Sequence, residues 1–92
     1  MNESEVRHVI AVLKKAGMVE AYHVTNFEGY RRHKNGRDEK ILVRLIDAGP
    51  SSGSSRFLCE ITSESGKEAS GNSAHGFQEA VLTADWHELD EA

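Results

Sequence analysis

Residues 41–47 constrain this chain more than any other segment. Ile41, Val43 and Leu45 fall on one face of an extended strand, and Leu42, Arg44 and Ile46 fall on the other. A face made only of aliphatic side chains has to meet a core, so the spacing predicts a strand with that face buried. Residues 56–62 alternate again, with Phe57, Cys59 and Ile61 inward and Leu58, Glu60 and Thr62 outward. The loop between them, Gly49-Pro50-Ser51-Ser52-Gly53-Ser54-Ser55, is made of turn residues and reads as the most flexible piece of the chain. Ser65-Gly66 reads as a tight turn, and residues 68–72 return as a short third strand containing the small Ala69 and Gly71. Consecutive strands with short connections form an antiparallel meander.

Helices are expected on either side of these strands. Val6, Val9, Ile10 and Leu13 recur at the spacing of one helical face over residues 3–16. Asn2 with Glu5 has the form of a capping box, Lys14 and Lys15 suit the last turn, and Gly17 stands where a helix turns left-handed, with Met18 folding back. A last helix is expected to open at Ser73 as its N-cap. Phe77, Ala80, Val81 and Ala84 form one stripe of it, and Leu82, Trp86 and Leu89 form another. Two stripes leave two readings open. Either the helix is buried on two sides, or it ends near Ala84 and residues 86–89 fold back over the core. The fold class is therefore α+β: a three-stranded antiparallel meander, with two helices packed on one face.

Residues 19–39 are ambiguous. Tyr22, Val24 and Phe27 suggest an extended segment, and Asn35-Gly36 is a hairpin signal. Folding about it sets Lys34 opposite Arg37, His33 opposite Asp38, Arg32 opposite Glu39 and Tyr30 opposite Ile41. A fourth strand over 24–33 and a mobile loop both remain open.

The chain has 92 residues, which suits a single domain over 1–92. One cysteine, Cys59, rules out an intramolecular disulfide and a cysteine-built zinc site, and fits a reducing compartment. The first eight residues lack a basic stretch followed by an apolar run, so no signal peptide is expected, and no apolar run is long enough to cross a membrane. The expected location is cytoplasmic.

The element order, together with Gly49-Pro50, Phe57, the Gly66 turn, Gly71 and Ser73 leading into Ala80 and Ala84, resembles the double-stranded-RNA-binding domain over residues 41–89. That resemblance implies a basic triplet at the start of the last helix to grip phosphates, and a histidine in the loop after Gly-Pro. Here Ala74, His75 and Gly76 follow Ser73, and Ser51, Ser52 and Gly53 follow Gly49-Pro50. The resemblance therefore implies the fold without the RNA contacts, since phosphate neutralisation supplies most non-specific affinity.

The net charge is −4, yet five of the eleven basic residues, Arg31, Arg32, Lys34, Arg37 and Lys40, lie within ten positions. Tyr30, Arg31, Arg32, Lys34 and Arg37 are the candidate binding residues, an aromatic among cations suited to a phosphate backbone. The alternative is a hairpin kept soluble by its own charges. None of the five histidines has a partner at a metal-ligand spacing, and no metal or cofactor is expected. Cys59 on an inward face behaves as a small hydrophobe, and no nucleophile elbow occurs. Trp86 either closes the core or marks a partner surface. The expected function is a non-catalytic binding or accessory module that contacts a protein partner or forms a homo-oligomer. The alternatives are a nucleic-acid-binding protein using residues 31–37, and a small enzyme.

Overall fold

The computed structural model describes residues 2–90. Helix α1 spans Glu3–Lys15, and strands β1 His23–Arg32, β2 Asp38–Asp47, β3 Phe57–Ser63 and β4 Glu68–Ser73 follow. Helix α2 covers Phe77–Leu82, and 3-10 segments occupy Pro50–Ser55 and Trp86–Leu89. The chain is α+β, with one antiparallel sheet in the order β1-β2-β3-β4. Residues 23–32 form the fourth strand.

Helix α1 starts and stops as its sequence dictates. The Asn2 side chain accepts from the Glu5 N–H at 2.8 Å and donates to the Glu5 carboxylate at 3.0 Å. At the other end Gly17 has φ 109°, and its N–H and that of Met18 reach back to Lys14 O and Leu13 O. This pair of bonds satisfies two carbonyls that a helix end leaves unpaired. No residue of α1 is buried. Val6 and Ile10 are half-covered where the helix meets His23, Asp47 and Arg56 at one end of the sheet.

Both outer hairpins turn through three residues. In each, the residue before the turn donates its N–H across it, His33 to Arg37 O and Ser63 to Lys67 O, both at 2.8 Å. Gly36 (φ 85°) and Gly66 (φ 91°) supply the left-handed position that closes such a loop. The two-residue Asn35-Gly36 turn expected above is therefore corrected. Arg32 pairs with Asp38, Arg31 with Glu39 and Tyr30 with Lys40, one residue away from the expected register. A one-residue slip reverses which face each side chain meets. It takes Lys34 out of the ladder and removes the like-charge pair with Arg37.

The sheet has one covered face and one largely open face, on which Ile46 is nonetheless buried. Across the covered face, Phe27, Val43, Ile61 and Ala69 form one row, and Thr25, Leu45, Cys59 and Gly71 form the next. Helix α2 lies over β3 and β4, and Ala80, Ala84 and Leu89 close the core against Ile41, Cys59 and Ile61. Phe77 meets Phe57 edge-on, with ring centroids 5.0 Å apart. Gly71 is required by this approach. A Cβ there would stand 2.2 Å from Ala80 O and 2.8 Å from the Ala84 Cα.

Ser73 does not cap α2. It ends β4 opposite Phe57, and its hydroxyl accepts from the His75 N–H at 2.9 Å. The helix starts later, after Gly76, because pairing with β3 holds residue 73 extended. It then stops at Thr83, and residues 86–89 fold back over the core, which is the second of the two readings above. The Trp86 indole N–H donates to Val81 O at 2.8 Å, and Leu89 is 0% exposed.

The loop at 49–55 is coiled into 3-10 turns broken at Gly53 (φ 57°). Arg56 stacks over the Phe57 ring at 4.7 Å and bonds to Asp47 at 3.1 Å.

Candidate functional site

Exposure rises across the covered face from β3 to β1. Ala69 and Ile61 are buried, Val43 is half-buried and Phe27 is 54% exposed. Helix α2 is only six residues long and the 3-10 segment after it is four, so together they roof β3 and β4 but stop short of β1. A shallow groove of about 470 Å³ remains, lined by Phe27, Gly29, Ile41, Val43 and Trp86. Trp86 is partly buried against the core and also borders this groove.

The two sheet edges are finished differently. Because Ser63 bonds Lys67 across the turn, the alternation of an antiparallel ladder points the backbone groups of Ser70 and Asn72 away from β3. The Asp85 N–H donates to Ser70 O at 3.2 Å. The Thr83 hydroxyl, which donates at 2.8 Å to Glu79 O, sits 3.3 Å from Asn72 O. The end of α2 therefore blocks the β4 edge. By the same alternation, Val24, Asn26, Glu28, Tyr30 and Arg32 point their backbone groups outward from β1. Among the described residues no element covers that edge. It runs for ten residues without a proline or a bulge, the devices that commonly protect edges.

The basic segment is divided by the pleat. Tyr30, 76% exposed, and Arg32 face the open side of the sheet, while Arg31 faces the covered side. Arg31 is tied to Asp90 at 2.6 Å, and Arg32 to Asp38 at 2.8 Å. Each guanidinium holds its partner carboxyl below the usual range. On the open face Lys40 lies 3.9 Å from Glu28 and Arg44 lies 3.6 Å from Glu60. Lys34 and Arg37 belong to the turn, where the Asn35 side chain accepts from the Arg37 N–H. The five candidate residues thus do not form one basic surface.

Sequence reasoning missed a buried polar pair at this end of the sheet. His33 Nε2 and Glu39 Oε1 are 2.9 Å apart, and both residues are buried. The other carboxylate oxygen accepts from the Ser65 N–H at 3.2 Å, so Glu39 bridges the two hairpin turns. Hydrogen bonding from Ser65, then from His33, holds its carboxyl below the usual range despite burial. Lys67 Nζ donates to Asp90 O at 3.0 Å, which with the Arg31 pair anchors the chain after Leu89. The only sequence signal for this cluster was a histidine and a glutamate at opposite ends of one turn. The wrong register turned them to opposite faces.

Cys59 is 0% exposed, and burial, then Glu60, raises its thiol pKa. No protein-family model, curated protein or solved structure matches this chain. Among the described residues no helix is long and apolar enough to cross a membrane.

Proposed function

We propose that this chain is a non-catalytic interaction module that takes an extended protein segment along the β1 edge, beside Phe27. One observation carries the reading: the β4 edge is blocked by the end of α2, while the longer β1 edge stands open next to an apolar groove. Strand addition uses such an edge for affinity, through main-chain hydrogen bonds, and neighbouring apolar positions for selectivity. Phe27 and Trp86 are the residue types that anchor protein interfaces. The net charge of −4 and the pairing of Arg31, Arg32, Lys40 and Arg44 with carboxylates also favour a protein over a phosphate backbone. The likeness to the double-stranded-RNA-binding domain stays within this proposal as a likeness of fold, because Ala74, His75 and Gly76 precede α2 where that family has its basic triplet.

The runner-up is nucleic-acid binding through the hairpin of β1 and β2, favoured by the exposed Tyr30 on β1 and by Lys34 and Arg37 at the turn of the same hairpin.

The test joins two measurements. A photo-crosslinking residue at position 27 is expected to give one discrete protein adduct in cells, and the same residue at exposed position 78 is expected to give none. An equal pattern at both positions would overturn the reading. Backbone amide spectra are expected to stay unchanged on adding an RNA or a DNA duplex at near-physiological salt. Shifts clustered at residues 30–37 would transfer the conclusion to the runner-up.

A further inference from the structure

The β1 edge also restricts what can lie along it. We propose that the segment is β1 of a second copy, forming a two-fold homodimer in which one sheet runs through both subunits and Phe27 sits on the axis. This rests on the reading of the β1 edge as an interaction surface.

Only the outward residues of β1 can exchange hydrogen bonds with a new strand, and these are the even-numbered ones. Two antiparallel copies can therefore pair only where even residues face even residues. Two such registers use nearly the whole of β1. One sets Glu28 opposite Glu28 and brings like charges together, which is unfavourable. The other sets Phe27 opposite Phe27, Asn26 opposite Glu28, and Val24 opposite Tyr30. In this second register Phe27 occupies a non-hydrogen-bonded pair, the closer kind, with Cα atoms ~4.5 Å apart. Two rings, each 54% exposed in the single chain, then cover one another. Thr25 of the second copy stands opposite Gly29, on the open side of the groove that Gly29 helps to line.

Charge is compatible with this register: Glu28, the one acidic residue of β1, faces Asn26, and Arg31, which faces His23, is already paired with Asp90. The two-fold contact is self-complementary, as closed dimers require. A ten-residue strand spans ~33 Å. A strip of that length buries on the order of 1,000 Å² in total, the lower end for specific interfaces. The dimer is therefore concentration-dependent.

Sedimentation equilibrium of the full chain from ~1 μM to ~1 mM is expected to show a monomer–dimer equilibrium. Phe27→Lys, at an exposed position, is expected to keep the fold and to raise the dimer Kd at least ~30-fold. An unchanged Kd would overturn the proposal. Register is read from disulfides: on oxidation Phe27→Cys is expected to cross-link to itself and Thr25→Cys is not. The native Cys59 is buried and so does not compete. Cross-linking at 25, or at neither position, would overturn the register. A monomer at every concentration that still gives a discrete adduct from position 27 would sink self-pairing alone. A monomer with no adduct would sink the interaction-module reading as well.

Discussion

The His33 ring and the Glu39 carboxylate meet at 2.9 Å inside the protein, with Glu39 only 2% exposed, and Ser65 completes the hydrogen bonding of the carboxylate from the other hairpin. A buried carboxylate held this way belongs to the folded state in its charged form. Its pKa is lowered on folding, so its contribution is fully present above the ordinary carboxylate range. That contribution is lost as pH falls through the folded value. Asp38, Asp47 and Asp90 are lowered too, in Asp47 because Arg56 and the Gly49 N–H outweigh burial, which acts the other way and is the largest single influence. Stability is therefore expected to fall with acid below ~pH 4. Glu39→Gln is expected to lower the melting temperature at neutral pH and to flatten the acid limb. Equal acid limbs in both proteins would show that Glu39 is not the group that titrates.

Gly71→Ala is expected to cost about 3 kcal/mol or more, because the new methyl meets the backbone of α2 and not a flexible side-chain end. Gly29→Ala meets nothing within 4 Å and is expected to stay within ~0.5 kcal/mol in dilute solution. Urea unfolding of the two variants checks the contrast.

Leu89→Ala is expected to cost about 3 kcal/mol, although it lies near the end of the chain. Leu89 is 0% exposed, and Asp90 after it is held by Arg31 and Lys67. A loss below ~1 kcal/mol in urea unfolding would mean that the last turn does not belong to the core.

The two helices are expected to differ in protection. Helix α1 has no buried residue, so Val6→Ala and Ile10→Ala are expected to cost ~1 kcal/mol or less each. Its amides are expected to exchange well before those of β2 and β3. Simultaneous exchange of α1 and the sheet would show that the helix belongs to the same cooperative unit.

Cys59 is expected to react with a thiol reagent only through unfolding, since it is 0% exposed and its thiol pKa is raised. The labelling rate should rise with urea in step with the unfolded fraction. Fast labelling without denaturant would contradict the packing of Gly71 and α2 over β3.

The sequence by itself determined the features that depend on near neighbours. The capping box at Asn2, the left-handed Gly17, the alternating faces of β2 and β3 and the turn at Gly66 all arise within a few residues. Local periodicity therefore suffices for them, and it was enough for the α+β class. The start of α2 was misread because Ser73 is a good cap in isolation, whereas pairing with Phe57 holds it in a strand. The Asn35-Gly36 turn was recognised but its length was not. A two-residue and a three-residue turn use the same dipeptide, and choosing between them depends on the facing strand. That single residue decided the site. It brought His33 onto Glu39 and set Arg32 opposite Asp38, while the pleat alone sends Arg31 to the other face, where it meets Asp90 far along the chain. Only the tertiary structure left β1 uncovered, because how far α2 reaches across a sheet depends on where its chain turns back, and that turn is made by contacts with β4.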